Sequence, residues 1–71
     1  MKMFEIELSH KADDIFTLED YQKAFDFLVN NGMEDSMATE CLRDAWDEGR
    51  SEYNYNGNTA IVWVFTDWKE L

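Results

Sequence analysis

The chain has 71 residues, with sixteen acidic against six basic and a formal net charge of −10, so it makes one domain near the size at which a single core supplies only about 3–5 kcal/mol. Three Trp, three Tyr and five Phe, each able to bury roughly 150–250 Å², argue for a folded domain and against a disordered acidic tail. The single cysteine, Cys41, excludes an intramolecular disulfide framework; Glu5 and Glu7 interrupt the first apolar stretch, so no signal peptide is expected, and without a long apolar run no spanning helix is expected either.

Met3 to Leu8 alternates, with Phe4, Ile6 and Leu8 on one side and Glu5 and Glu7 on the other, the period of a half-buried strand. Ser9 to Ile15 is polar, contains Asp13 and Asp14, and predicts a loop. Thr17 predicts a helix start, because Asp20 stands three residues on and Phe16 and Tyr21 occupy the positions of a hydrophobic staple. From Leu18, the apolar residues Tyr21, Ala24, Phe25, Leu28 and Val29 recur at helical spacing until Asn30-Asn31-Gly32 supplies a stop. Asp35 or Ser36 can cap a second helix, whose stripe of Ala38, Cys41, Leu42, Ala45 and Trp46 ends at Gly49.

Asn56-Gly57-Asn58, flanked by Tyr53–Tyr55 and 59–66, predicts a β-hairpin. A two-residue Asn-Gly turn pairs Tyr55 with Asn58 and puts Ile61, Trp63 and Phe65 on the face of Glu52 and Asn54. A three-residue loop instead gathers Tyr53, Ile61, Trp63 and Phe65 on one face. We prefer the second register, because it builds one coherent apolar face. The expected fold is a small α+β domain, β-α-α-β-β, with two helices on one face of a three-stranded sheet and the last strand at its centre.

Folding does not demand so much negative charge, which destabilises a compact state by self-repulsion and attracts strongly basic partners. Acids at Glu19, Asp20, Glu34 and Asp35 are accounted for by helix starts, where the dipole favours them. Glu40, Asp44 and Glu48 are different: they repeat at i, i+4, i+8 with Asp47 beside them, a spacing that repels, and Asp47 and Glu48 crowd the end of the helix where cations belong. Arg43 relieves part of this. Carboxylates one turn apart are about 5.4 Å apart along the axis, and duplex DNA presents a charge every 3.4 Å or so per strand. Such a ridge can stand in for part of a phosphate track.

Catalytic chemistry has little support. His10 is the only histidine, Cys41 falls on an apolar helix stripe, and neither a calcium loop nor a phosphate-binding glycine loop nor a Cys/His metal spacing is present. No cofactor is expected. Lys2, Lys11, Lys23, Arg43, Arg50 and Lys69 are scattered without a basic track, which argues against direct nucleic-acid binding.

The leading expectation is a cytoplasmic, non-enzymatic acidic inhibitor that mimics nucleic-acid phosphates and blocks a basic nucleic-acid-binding protein, whether a nuclease, a repressor or a defence complex. Glu40, Asp44, Asp47 and Glu48 form its main contact, and Glu5, Glu7, Asp13 and Asp14 a second track. The alternative is an adaptor or immunity-type module, or a homodimer, that uses the outer sheet face around Val62, Val64 and Trp68. In overall profile the chain is similar to phage or mobile-element inhibitors that mimic DNA, such as antirestriction and anti-CRISPR proteins. That likeness is one of composition and carries no residue correspondences; for a phage-encoded chain it implies the host cytoplasm.

Overall fold

Alternation along β1 (Lys2–Leu8) sends Phe4, Ile6 and Leu8 into the core of the computed structural model, which describes residues 2–11 and 15–66. A 3₁₀ turn at Ser9–Lys11 follows, then β2 (Ile15–Leu18), α1 (Tyr21–Asn30), α2 (Asp35–Glu48), β3 (Arg50–Tyr55) and β4 (Asn58–Thr66). The strands form one antiparallel sheet in the order β2-β1-β4-β3. Two helices and a sheet make an α+β domain, as expected, but the sheet has four strands and the element order is β-β-α-α-β-β.

The added strand corrects the reading of Thr17. Thr17 lies in β2 opposite Glu5, and α1 starts after Asp20, whose carboxylate accepts the Lys23 N–H at 2.8 Å. Thr17 and Leu18, ahead of a stronger cap, gain more by extending the sheet, because β1 otherwise leaves a row of unpaired backbone groups at its edge. α1 ends as expected: the Asn31 side chain donates to the Phe27 carbonyl at 2.8 Å, Gly32 takes a φ of 102°, and the Met33 N–H returns to the Leu28 carbonyl at 3.1 Å.

In α2 the buried residues are Ala38, Cys41, Leu42 and Ala45. Its N-cap is Glu34 rather than Asp35 or Ser36, and Gly49 closes the helix in the left-handed conformation. Trp46, at the edge of the stripe, is 48% exposed and rests its ring 6.0 Å from that of Phe4.

The hairpin corrects the preferred register. Tyr55 pairs with Asn58 across a two-residue turn in which Asn56 and Gly57 have φ of 48° and 79°. Positive φ at both positions matches the twist of the flanking strands, so the Asn-Gly dipeptide overrides the more apolar face. Ala60, Val62 and Val64 consequently stand opposite Leu8, Ile6 and Phe4 and join the core, Ala60 and Val62 completely buried. Ile61, Trp63 and Phe65 take the other face. The core combines small residues, Ala38, Cys41 and Ala45 on α2 with Ala60 and Val62 on β4, with bulk supplied by Phe4, Ile6, Leu8, Leu28 and Leu42.

One polar cluster lies inside this core. Ser51 Oγ donates to the Cys41 carbonyl at 2.7 Å and lies 3.3 Å from Cys41 Sγ, so the thiol donates to the hydroxyl. Burial pushes the Cys41 thiol up, which keeps it protonated and unreactive.

Candidate protein interface

A 3.6-residue period places Glu40, Asp44, Asp47 and Glu48 within an arc of about 100° on α2; Glu40 and Asp47 point away from the buried Ala38, Cys41, Leu42 and Ala45, whereas Asp44 and Glu48 lie toward the border of that buried side. Glu40, Asp47 and Glu48 are exposed. Asp44 is half-buried and accepts a hydrogen bond from the Tyr53 hydroxyl of β3. That bond, with burial and the Asp44 and Glu40 charges behind it, pushes the Tyr53 phenol up to about 12. Asp44 therefore ties the helix to the sheet as well as adding to the ridge.

Glu5 and Glu7 occupy the opposite side of the sheet. They alternate with the buried Phe4, Ile6 and Leu8, so they lie on the face without helices, next to Trp63 and Ile61 of β4. One flat partner surface cannot reach both the α2 ridge and this pair. Asp13, Asp14 and Trp68 lie outside the described residues. Val62 is completely buried beneath the helices and Val64 shares its face, which corrects their placement on the outer sheet surface. The cause is the two-residue turn, since a shift of one residue exchanges the faces of a strand.

The outer surface is built by other residues. Row by row across the sheet, Glu7 and Glu52 flank Ile61, Glu5 and Arg50 flank Trp63, and Met3 stands beside Phe65. The Arg50 guanidinium donates to Glu52 at 3.0 Å and lies 5.9 Å from the centre of the Trp63 ring. At the β4 start, Glu7, Ser9, Thr59 and Ile61 line an open depression of about 240 Å³. Ser9 Oγ accepts the Thr59 N–H there at 2.8 Å, and Thr59 Oγ1 donates to Asn54 Oδ1 at 2.8 Å. The Asn-Gly dipeptide was the sequence signal for this surface.

Among the described residues no group of three or more His, Cys, Asp and Glu side chains is placed to hold a metal ion, and no helix is long and apolar enough to cross a membrane. His10 is exposed in the 3₁₀ turn.

No protein-family model, curated protein or solved structure matches the chain.

Proposed function

We propose that the chain is a non-enzymatic inhibitor that occupies the basic nucleic-acid-binding site of a partner protein, with the α2 ridge standing in for phosphates. The supporting observation is that Glu40, Asp47 and Glu48 are exposed on one rigid helix while the one ion pair among the described residues, Arg50 with Glu52, lies elsewhere. Acids repeated toward the C-terminus of a helix cost stability through mutual repulsion and the helix dipole, so a partner's Lys and Arg relieve a strain the isolated fold carries. A nuclease, repressor or defence complex has such a cationic groove. Binding of this kind weakens with salt, because charges are screened beyond about 8 Å at physiological ionic strength.

The test is capture of the partner from host lysate at low salt, with duplex DNA as competitor. Duplex DNA releases the captured protein, and the Glu40→Lys/Asp47→Lys/Glu48→Lys variant captures none while its fold survives. Asp44 is left intact because of its bond to Tyr53. Undiminished capture by the triple variant, or capture that duplex DNA leaves in place, overturns the reading.

A further inference from the structure

Antiparallel sheets with helices on one face commonly turn polar residues to water on the other. Here β4, an interior strand, sends Ala60 and Val62 inward and Ile61, Trp63 and Phe65 outward. Residues two apart on a strand are about 6.7 Å apart, so the three make an apolar ridge roughly 13 Å long, extended sideways by Met3. Phe65 is 39% exposed. No helix of the described chain covers this ridge.

What borders the ridge determines what can dock on it. Glu5 and Glu7 flank it on β1 and Glu52 on β3, against the single guanidinium of Arg50, which Glu52 and Trp63 already engage. Among the described residues Glu5 and Glu7 have no ion-pair partner. A second copy of the chain brings the same carboxylates to the same interface and a further charge of −10; juxtaposing like charges across an interface costs several kcal/mol. Nucleic acid is repelled in the same way. A cationic polypeptide is complementary.

The depression beside Glu7 sharpens this. Its polar groups offer acceptors: the Glu7 carboxylate, the Thr59 hydroxyl oxygen, whose proton goes to Asn54, and the Ser9 oxygen, which keeps a second lone pair after accepting the Thr59 N–H and whose own proton can rotate aside. Ammonium and guanidinium groups are donors only. Ile61 at the same rim can cover the aliphatic stem of such a side chain. The face already holds one guanidinium this way, with Arg50 between the Trp63 ring and Glu52.

We propose that the helix-free face of the sheet is a docking surface for a basic, aliphatic-rich segment of a protein partner, whose apolar side chains cover Ile61, Trp63 and Phe65 while a Lys or Arg enters the depression at Glu7. This surface does not depend on the α2 ridge and stands if that reading fails. The probe is a synthetic peptide of alternating Arg and Leu, titrated at physiological salt into the ¹⁵N-labelled full chain.

The expected result is chemical-shift change at Glu5, Glu7, Thr59, Ile61 and the Trp63 indole. Trp63→Ala and Glu7→Gln each weaken binding at least about tenfold, whereas Glu40→Lys/Glu48→Lys leaves it within about twofold. Both test positions face outward, and unchanged α2 amide signals show that each variant is folded; Glu7→Gln preserves shape if Trp63→Ala does not fold. Shifts confined to α2, no sheet-face shift at about 1 mM peptide, or equally tight binding of polylysine overturns the proposal. Sheet-face signals that move with protein concentration alone also overturn it, by assigning the face to a second copy.

Discussion

The hydrogen bond from Tyr53 to Asp44 separates the one ridge carboxylate that helps the fold from those that strain it. A hydrogen bond to a charged acceptor contributes about 1.5–3 kcal/mol in an enclosed site. Tyr53 and Asp44 are half-buried, and screening by solvent brings the pair to about 1 kcal/mol. Unfolding entropy is about 2.1 cal/mol/K per residue, which for 71 residues gives about 0.15 kcal/mol/K. Tyr53→Phe therefore lowers Tm by about 7 °C. Asp44→Ala removes the same bond but also relieves repulsion from Glu40 and Glu48, so it costs less, about half as much.

A double-mutant cycle by urea denaturation at pH 7 isolates the pair, with an expected coupling of about 1 kcal/mol. The coupling also has a pH signature. The folded state holds the Tyr53 proton more tightly than the unfolded state, whose phenol titrates near its ordinary value of 10.0, against about 12 when folded. The pair's contribution is thus complete below pH 10 and is lost as pH rises from 10 to 12. A coupling under about 0.3 kcal/mol at pH 7, or one unchanged at pH 12, refutes the assignment.

Glu48→Lys removes a like-charge pair with Asp44 and places a cation in the last turn of α2, so urea denaturation should show a gain of about 0.3–1 kcal/mol; a loss contradicts the view that the ridge opposes folding. Leu42→Ala, at a completely buried site, should cost about 2–5 kcal/mol, close to the whole stability of so small a domain, and circular dichroism should show a largely unfolded variant at 37 °C. Gly57→Ala forces a side chain onto a φ of 79° at a cost of about 1–2 kcal/mol, and hydrogen exchange should show loss of protection first at the Tyr55–Asn58 end of the hairpin.

The sequence made much of this architecture legible wherever a pattern and a terminator agreed. Phe4, Ile6 and Leu8 alternate against carboxylates; Asn31-Gly32 and Gly49 end the helices where the apolar spacing runs out; Glu40 and Asp47 are exposed because the buried stripe occupies the other side of α2. Legibility failed where two local signals competed. Phe16-Thr17-Leu18 carries features of a helix start, yet the open edge of β1 and the stronger cap at Asp20 decide in favour of a strand. In the hairpin, apolar content favours burying Ile61, Trp63 and Phe65, whereas turn geometry favours the opposite face. Backbone conformation prevails because Asn56 and Gly57 both take positive φ, the geometry of the two-residue turn that this dipeptide favours above the three-residue loop, while the helices cover the smaller Ala60 and Val62.

That outcome changes the meaning of the charge. Had the large apolar side chains of β4 been buried, Glu5 and Glu7 would border a smaller surface of alanine and valine. With Ile61 and Trp63 half-buried and Phe65 exposed on the outer face, an uncharged rim would favour association between copies, one of the uses of an exposed apolar patch. Glu5, Glu7 and Glu52 make that association costly, and by the same Coulombic sign they favour a basic occupant. The α2 ridge carries the same sign on the far side of the sheet. On the two proposals made above, discouraging self-association and attracting cationic partners follow from one sign of charge, carried on two faces that differ in whether apolar contact accompanies it.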